Sequence, residues 1–241
     1  MKAIKKLGML VLLMLVPAMA SASGAGVHLD TAPVDLKDRV SLQRGAQFFV
    51  ANCMACHSAS FMRYNRLMDI GMTEDQIKAL LPEGSKVGST MAAAMDAETA
   101  KAAYGVAPPD LSVIARVRGV DWLYTYLRGF YVDANSATGV NNLVFPSVGM
   151  PNVLGGLQGD QELHVENRDG HEVKTLKLTT PGSMSTAEFD ATVADLVNYL
   201  DFMSEPAKLV RYDLGYIVLG FLFVLLILTY LLKKEFWKDI H

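Results

Sequence analysis

The clearest chemical potential in this sequence belongs to Cys53, Cys56 and His57, which form a Cys-x-x-Cys-His motif. This motif is the attachment signature of c-type haem. Positions i, i+3 and i+4 share one face of a helical turn, so both thiols can reach the two vinyl groups of one porphyrin while the histidine ring points at the iron. The chain has only these 2 cysteines. A structural disulfide or a haem-free redox pair is the alternative, and the adjoining histidine favours covalent haem.

An iron bound by His57 needs a second axial ligand or keeps an open position. A methionine thioether would raise the reduction potential and close the site to gases, whereas an open position would suit sensing or peroxide chemistry. Met150 is the best candidate, because Gly149 lets the backbone approach a porphyrin closely and Pro151 stiffens the loop. Met184, also in a loop, is the competing ligand. Met150 could instead be a plain apolar loop residue, since methionine often fills gaps.

The N-terminal end has the pattern of an export signal. Three lysines within the first six residues precede an apolar run over residues 7–16 and a stretch of small residues. Such a charged head, short apolar core and small-residue site predict a signal peptide over residues 1–22, cleaved after Ala20 or Ala22. The alternative is an uncleaved anchor, but the apolar core is shorter than a bilayer crossing requires.

The C-terminal end has the pattern of a membrane anchor. Residues 214–232 form an uncharged, largely apolar run, and three lysines follow within six residues. The run is about long enough to cross a bilayer as a helix, and the positive-inside rule keeps the basic tail in the cytoplasm. We therefore predict an exported cytochrome c domain over residues 23–206, a transmembrane helix over residues 207–232 and a cytoplasmic tail over residues 233–241.

The net charge of −3 hides an asymmetry along the chain. Without the lysines of the N-terminal head and the charged residues of the tail, 16 basic and 23 acidic residues remain, a net charge of −7. Such a field disfavours nucleic acid and favours the steering of a basic soluble partner. Ordinary solubility is the alternative explanation, and composition alone does not separate the two.

Helical patterns surround the motif. A helix capped by Ser41 is expected to lead the chain to Cys53, with its apolar residues on one side. Gly45 in the middle of this helix costs helix propensity, and the close approach of another helix is the expected compensation. The alanine-rich stretch over residues 91–103 is also expected to be helical.

The second half of the chain contains a hairpin pattern and a further helix. Alternating segments around the Asp169-Gly170 dipeptide predict a β-hairpin over residues 162–178, with His164 and His171 as surface residues. Ser185 and Glu188 form a capping box before an apolar stripe at helical spacing. The expected fold is mainly α, a c-type cytochrome domain with a small β-hairpin insertion and one C-terminal transmembrane helix.

Several distinct motifs occur in a fixed order over nearly all of the mature chain. They are Arg44-Gly45-x-Gln47 before Cys53-x-x-Cys56-His57-Ser58 and Tyr64, Pro108-Pro109-Asp110-Leu111-Ser112 before Arg116-Val117-Arg118, Phe145-Pro146 with Gly149-Met150-Pro151, and residues 187–206 before the anchor. This ordered set resembles the cytochrome c1 family, the haem-c subunit of the bacterial cytochrome bc1 complex (quinol–cytochrome c oxidoreductase).

The resemblance assigns roles to particular residues. It implies that Met150 is the sixth iron ligand beside His57, that Pro109 packs on the haem and that Arg118 pairs with a haem propionate. Arg116 is the alternative propionate partner, because both arginines lie in one short segment. Trp122 departs from the family, which often has tyrosine at this position, so a hydrogen bond from that hydroxyl is not carried over.

The resemblance also implies a function. One haem c accepts an electron from the Rieske iron–sulfur subunit and passes it to a c-type cytochrome, supporting respiratory quinol oxidation and proton-motive force. The isolated chain is then an electron carrier, and the enzyme is a dimeric assembly that includes cytochrome b in the bacterial inner membrane, with the haem domain in the periplasm.

Three other functions compete with this interpretation. The first is another membrane-anchored c-type cytochrome, such as an oxidase subunit or a shuttle; the single haem motif and the lack of a long flexible linker before Leu214 weigh against it. The second is a haem sensor or peroxidase with an open distal position. The third is a cysteine redox protein without haem.

Overall fold

A computed structural model of the chain describes residues 27–168 and 171–239. The predicted signal peptide over residues 1–22 lies outside the described residues and stays a prediction. Within the described part, helices predominate and the strands form three separate two-stranded antiparallel sheets. The expectation of a mainly α fold with a small β-hairpin is therefore confirmed.

The elements are numbered here in chain order. The helices are α1 (Arg39–Asn52), α2 (Glu74–Lys78), α3 (Ala97–Tyr104), α4 (Ile114–Arg118), α5 (Val120–Arg128), α6 (Gly155–Gln158), α7 (Thr186–Ser204) and α8 (Lys208–Phe236), with a 3₁₀ helix at Tyr64–Ile70. The strands are β1 (Ala59–Arg63), β2 (Thr90–Met91), β3 (Phe130–Val132), β4 (Val140–Asn142), β5 (Gly159–Arg168) and β6 (His171–Pro181). The sheets pair β1 with β2, β3 with β4 and β5 with β6.

The centre of the core is the contact between α1 and α7. The predicted apolar stripe of α7 is buried along its whole length, from Phe189 to Met203. From the other side α1 contributes Phe49, whose ring lies 5.6 Å from that of Tyr199, and neither side chain reaches solvent. Because α1 ends directly before the Cys-x-x-Cys-His motif, this packing fixes where the motif lies.

Gly45 makes the close contact between these two helices possible. A Cβ atom built on Gly45 would lie 2.0 Å from the carbonyl oxygen of Asp195 and 2.8 Å from Cβ of Tyr199. The predicted approach of another helix is confirmed. The Arg44 guanidinium beside it forms a bidentate ion pair with Asp195, at 2.5 and 2.8 Å.

The predicted start of α1 is wrong. The helix begins at Arg39, and the cap is Asp38, whose carboxylate accepts the backbone N–H of Ser41 at 3.0 Å. The Ser41 hydroxyl is used elsewhere, since it is buried and accepts a hydrogen bond from the Asn198 side chain at 3.0 Å. Because the Ser41 hydroxyl is used in this tertiary contact, Asp38 caps the helix instead.

The predicted helix over residues 91–103 is only half correct. Met91 belongs to β2 and pairs with Ala59, and α3 begins only at Ala97, after Asp96 has capped its first turn. The backbone N–H groups of residues 94 and 95 donate to carbonyls of the haem motif instead of to a helix. Tertiary hydrogen bonds here override the helix propensity of alanine.

The predicted hairpin is confirmed and is longer than expected, from Gly159 to Pro181. Its base is tied to the domain by the Gln161 amide, which donates to the carbonyls of Arg128 at 2.9 Å and Phe130 at 2.8 Å. His164 is exposed, as predicted. The side chain of His171 lies outside what the structure describes.

The C-terminal helices follow the predicted pattern. The capping box is present, with the Glu188 N–H donating to the Ser185 hydroxyl and the Ser185 N–H donating to the Glu188 carboxylate. Among the described residues, α8 is the one helix long and apolar enough to cross a membrane, and none of its residues is buried. It contains the apolar run over residues 214–232.

Candidate haem-attachment site

The Cys53–His57 segment forms a separate turn directly after the end of α1. The Cys53 N–H donates to the Phe49 carbonyl at 2.9 Å, and the carbonyl of Cys53 accepts from the N–H groups of Cys56 at 3.1 Å and His57 at 2.9 Å. These i+3 and i+4 hydrogen bonds give the motif helical geometry. The two cysteines and the histidine therefore lie where the spacing places them, close together on one turn.

A second segment, residues 93–95, holds the outside of this turn. The N–H groups of Ala94 and Met95 donate to the carbonyls of Met54 and Ala55 at 3.2 and 3.0 Å, and the Ala93 N–H donates to the Ser58 hydroxyl at 2.8 Å. The carbonyls past the end of a helix have no partners within the helix. These bonds satisfy two of them and fix the turn.

The His57 ring is oriented by the Pro109 carbonyl, which lies 2.8 Å from Nδ1. A carbonyl oxygen only accepts, so Nδ1 carries the proton and the lone pair of Nε2 is left for another partner. Burial lowers the pKa of His57, against the opposing effects of this hydrogen bond and of Asp110. A neutral imidazole with one nitrogen fixed by a carbonyl is the usual state of a metal ligand.

The segment Pro109–Ser112 runs along the motif and its continuation. Besides the His57 contact, its bonds are Leu111 N–H to the Ser58 carbonyl at 2.8 Å, Ser60 N–H to the Asp110 carboxylate at 2.8 Å and Phe61 N–H to the Ser112 hydroxyl at 3.0 Å. Burial opposes ionisation of Asp110, but hydrogen bonds from Ser112 and Ser60 outweigh it and lower the pKa of Asp110. The two motifs, fifty residues apart, therefore form one hydrogen-bonded unit.

Met150 lies in a cluster of aromatic side chains. The Tyr126 hydroxyl donates to Sδ of Met150 at 3.4 Å. The Tyr126 ring stacks on Trp122 at 4.8 Å, and Phe145 meets Trp122 edge-on at 6.3 Å. Burial raises the pKa of Tyr126 to about 12, so the hydroxyl keeps its proton at neutral pH and serves as a donor.

Tyr126 was not predicted as a site residue. The sequence feature that could have indicated it is the position of Tyr126 four residues after Trp122 on one helix, which places the two rings on the same face. The contact with Met150 could not be read from the sequence, because it depends on how the loop that carries Met150 folds back onto α5.

The Met150 loop contacts the same stretch of chain that orients His57. A Cβ atom on Gly149 would lie 3.2 Å from Cγ1 of Val106 and 3.7 Å from the Tyr104 carbonyl. From Val106 to Pro109 is at most about 11 Å of chain. One short segment, residues 104–109, therefore lies against both the His57 ring and the loop that carries Met150.

The competing ligand, Met184, has different surroundings. It is half-buried against the hydrophobic core, with the Thr192 hydroxyl 3.8 Å from its Sδ atom. Its backbone N–H donates to Leu157 at 3.1 Å, which ties it to α6. These contacts place Met184 with the core helix α7, whereas Met150 lies in the aromatic cluster beside the His57 segment.

The two candidate arginines differ in position. The Arg118 guanidinium lies over the rings of Trp122 and Phe145, at 4.9 and 5.6 Å, and so joins the aromatic cluster around Met150. Both arginines are exposed, and residues two apart on a helix do not share a face, so Arg116 points away from these rings. The structure therefore brings Arg118, and not Arg116, to the candidate site.

The thiols, imidazole and thioether of this site fit a covalently held haem better than a redox cysteine pair or a bare metal ion. Burial, with a smaller effect from Cys56, raises the pKa of the Cys53 thiol to about 12, which disfavours the thiolate that a redox cysteine requires. In the described part of the chain no group of three or more His, Cys, Asp or Glu side chains could hold a metal ion. What remains is a paired thiol attachment, one oriented imidazole and one thioether.

Fold and site together define a c-type cytochrome with a candidate membrane helix at its C-terminal end. The model of the Cytochrome C1 family matches residues 30–94 and 85–240. The chain therefore belongs to the cytochrome c1 family, and membership implies covalently bound haem c and a role in electron transfer.

Curated relatives match the chain almost from end to end. It is 53% identical to the "Ammonia monooxygenase gamma subunit" of Nitrosomonas europaea, with 97% of each chain covered. It is 46% identical to "Cytochrome c1" of Allochromatium vinosum, over 98% of this chain and 100% of the relative. A chain of a solved "Hyperthermophilic respiratory Complex III" aligns over 100% of this chain and 98% of its own length, with a TM-score of 0.47 and 17% identity.

Proposed function

We propose that this chain is the haem-c electron-transfer subunit of a cytochrome bc1 complex. It takes one electron from a Rieske iron–sulfur subunit and passes it to a c-type cytochrome, so that the assembly with cytochrome b oxidises quinol and supports the proton-motive force. Haem c supplies the one-electron redox centre when bound. The protein's part is to hold that group, set its potential and leave an edge accessible.

One observation carries this proposal: residues 104–109 lie against both the His57 ring and the Met150 loop. Cys53 and Cys56 provide the covalent attachment, His57 offers Nε2 as the first axial ligand and Met150 offers Sδ as the second. A His/Met pair suits an electron carrier, because it fills both axial positions and raises the potential. An open distal position, as in a sensor or peroxidase, is not needed to account for these contacts.

Further residues have supporting roles in the proposal. Arg118 is the propionate partner, because its guanidinium is held beside the Met150 cluster by Trp122 and Phe145. A charge-assisted hydrogen bond from arginine to a carboxylate is among the stronger polar contacts in proteins. Arg116 is the alternative propionate partner. The ring of Pro109 would pack on the haem, and the Pro109 carbonyl orients His57.

The membrane arrangement follows from the chain's two ends. A signal peptide over residues 1–22 exports the haem domain to the periplasm of a bacterium, and α8 crosses the inner membrane once. The basic residues Lys233 and Lys234 in the last turn of α8 support a cytoplasmic C-terminal end. The complete assembly is dimeric, and α8 anchors this chain in the bilayer beside the cytochrome b subunit.

The decisive experiment is purification of the tagged full-length chain from native membranes in mild detergent. Cytochrome b and Rieske subunits should copurify, and a pyridine haemochrome assay should show one covalent haem c per chain. A variant with both Cys53→Ala and Cys56→Ala is the control and should lose covalent haem. Recovery with monooxygenase subunits, as the name of the Nitrosomonas relative suggests for that protein, would assign the chain to another assembly. Recovery with a terminal oxidase would do the same.

A further inference from the structure

The hydroxyl of Tyr126 touches the proposed sixth ligand directly. It donates to Sδ of Met150 at 3.4 Å, within the usual range for a sulfur acceptor. Sulfur in a thioether is a weak acceptor, so such a contact forms only where the donor is placed at it by other interactions. The question is therefore what holds Tyr126 in this position.

Three contacts fix the Tyr126 side chain and backbone. Its ring is stacked on Trp122 with an interplanar angle of 10°, and it meets Phe130 nearly edge-on at 5.2 Å. The Tyr126 carbonyl accepts a hydrogen bond from the Asn142 amide at 2.8 Å. Because Asn142 is buried in β4 and the loop to Met150 follows directly, the donor and the acceptor are held by the same local framework.

A thioether has two lone pairs on sulfur. If Met150 binds iron in the proposed His57/Met150 site, one lone pair would be donated to the iron and the other would be left for the Tyr126 hydroxyl. A hydrogen bond to the second lone pair draws electron density away from sulfur, so the sulfur donates less to the iron. The oxidised iron needs this donation more than the reduced iron does, so the hydrogen bond favours the reduced state.

We propose that Tyr126 is a positioning residue that raises the reduction potential through its hydrogen bond to Met150. Hydrogen bonding next to an axial ligand is one of the means by which a protein tunes a haem. The inference rests on the proposed ligation by Met150. It adds a residue that none of the sequence motifs contains.

The test is a redox titration of Tyr126→Phe in the full-length chain purified within its membrane complex. Phenylalanine keeps the ring and its stacking and removes only the donor. We expect covalent haem and the near-infrared sulfur-to-iron charge-transfer band to remain, while the equilibrium constant for reduction falls about two- to tenfold, the factor that one net hydrogen bond corresponds to. Tyr124→Phe is the matched control, since it removes a hydroxyl from the same helix that does not contact Met150, and it should leave the potential unchanged.

The outcomes separate this inference from the proposed function. An unchanged or higher potential in Tyr126→Phe, with the charge-transfer band intact, would overturn the role of Tyr126 and leave the ligation by Met150 standing. If Met150→Leu instead keeps the band, the ligation itself is wrong. A measurement on the unaltered protein gives a second test: transfer to D₂O should shift the sulfur-sensitive resonance Raman bands in the wild type and not in Tyr126→Phe.

Discussion

The role of His57 depends on an atom that no side-chain motif encodes. The sequence supplies the imidazole, but the Pro109 carbonyl decides that Nδ1 carries the proton and that Nε2 is free. The carbonyl reaches the ring because three further hydrogen bonds align residues 110–112 with residues 58–61. A prolyl residue suits this position, since its fixed φ angle stiffens the segment that presents the carbonyl.

Replacement of Met150 by leucine tests the second ligand. Leucine fills a similar volume and cannot donate to iron, so the cysteines should keep the haem while the potential falls by more than about 60 mV, a tenfold change in a one-electron equilibrium. Redox titration measures the shift, and the reduced variant should gain carbon monoxide binding. Met184→Leu is the control and should match the wild type; if the two variants exchange these results, Met184 is the ligand.

Asp110 joins the two motifs through its carboxylate, and its removal should weaken them. Asp110→Asn keeps one acceptor oxygen and loses the other, so we expect about 1 kcal/mol less stability at pH 7. Denaturant titration of the haem-loaded protein measures this difference. Asp160→Asn, at an exposed position of the hairpin, is the control and should cost nothing.

The same pair of proteins should differ in their pH dependence. The folded-state pKa of Asp110 lies below its ordinary value of 3.8, so the folded protein binds fewer protons at this site than the unfolded chain. The carboxylate's contribution is therefore complete above about pH 4 and is lost as the pH falls through the lower folded value. The stability gap between wild type and Asp110→Asn should narrow in that acid range, and a gap that widened there would contradict the assignment.

Helix α1 shows how one glycine controls the packing of two elements. At Gly45 the backbone of α7 comes so close that a methyl group has no space, since the nearest obstacles are a backbone carbonyl and a buried Cβ atom. Neither can move without moving the helix. Because α1 leads directly into the haem turn, a shift at Gly45 would also displace Cys53.

Gly45→Ala is therefore expected to destabilise the domain by about 1–3 kcal/mol or more, the usual cost of overpacking, although alanine is the better helix former. Gly156→Ala is a matched control, because a Cβ atom there meets nothing within 4 Å in the short helix α6. It should leave stability unchanged within about 0.5 kcal/mol or raise it slightly. Thermal unfolding followed by circular dichroism distinguishes the two, and equal effects would refute the packing argument.

Elements were predictable where the determinants are local. The Ser185 capping box, the apolar stripe of α7 and the alternating pattern of β5 and β6 each involve residues within a few positions of one another. Prediction failed where a distant partner decides. The Ser41 hydroxyl accepts a hydrogen bond from Asn198, 157 residues away, and so does not cap α1. The backbone N–H groups of residues 94–95 donate to the carbonyls of Met54 and Ala55 rather than forming a helix.

The site divides in the same way. The spacing of Cys53, Cys56 and His57 follows from the covalent chemistry and was readable at once. The Tyr126–Met150 contact spans 24 residues and depends on the fold of the intervening sheet, so no periodicity points to it. Arg116 and Arg118 could not be separated from sequence, because only the packing of Trp122 and Phe145 distinguishes them.

The chain as a whole joins a packed haem domain to an unburied helix through a short, charged junction. Two ion pairs bridge it, Lys208 with Asp201 at 2.7 Å and Arg211 with Glu205 at 2.9 Å. Asp201 is the buried member, with a side chain only 10% exposed. Leu209 also packs on the core, so the first turn of α8 belongs structurally to the domain. The boundary for a soluble fragment should therefore fall after Arg211, not at Pro206.

A fragment ending after Arg211 should be exported, carry covalent haem and remain in the soluble periplasmic fraction, because it lacks the apolar run of α8 and keeps both ion pairs.

Lys208→Met within this fragment leaves the Asp201 carboxylate poorly solvated and unpaired, and should lower the free energy of unfolding by about 1–3 kcal/mol. Lys78→Met is the control, since its pair with Glu74 is more than half exposed on both sides and should contribute little to stability. Cell fractionation measures where the fragment is found, and denaturant titration measures the change in its stability. A fragment that stayed with the membrane would show that the haem domain itself binds lipid or a membrane partner, and an unaltered stability in Lys208→Met would show that the junction is only a tether.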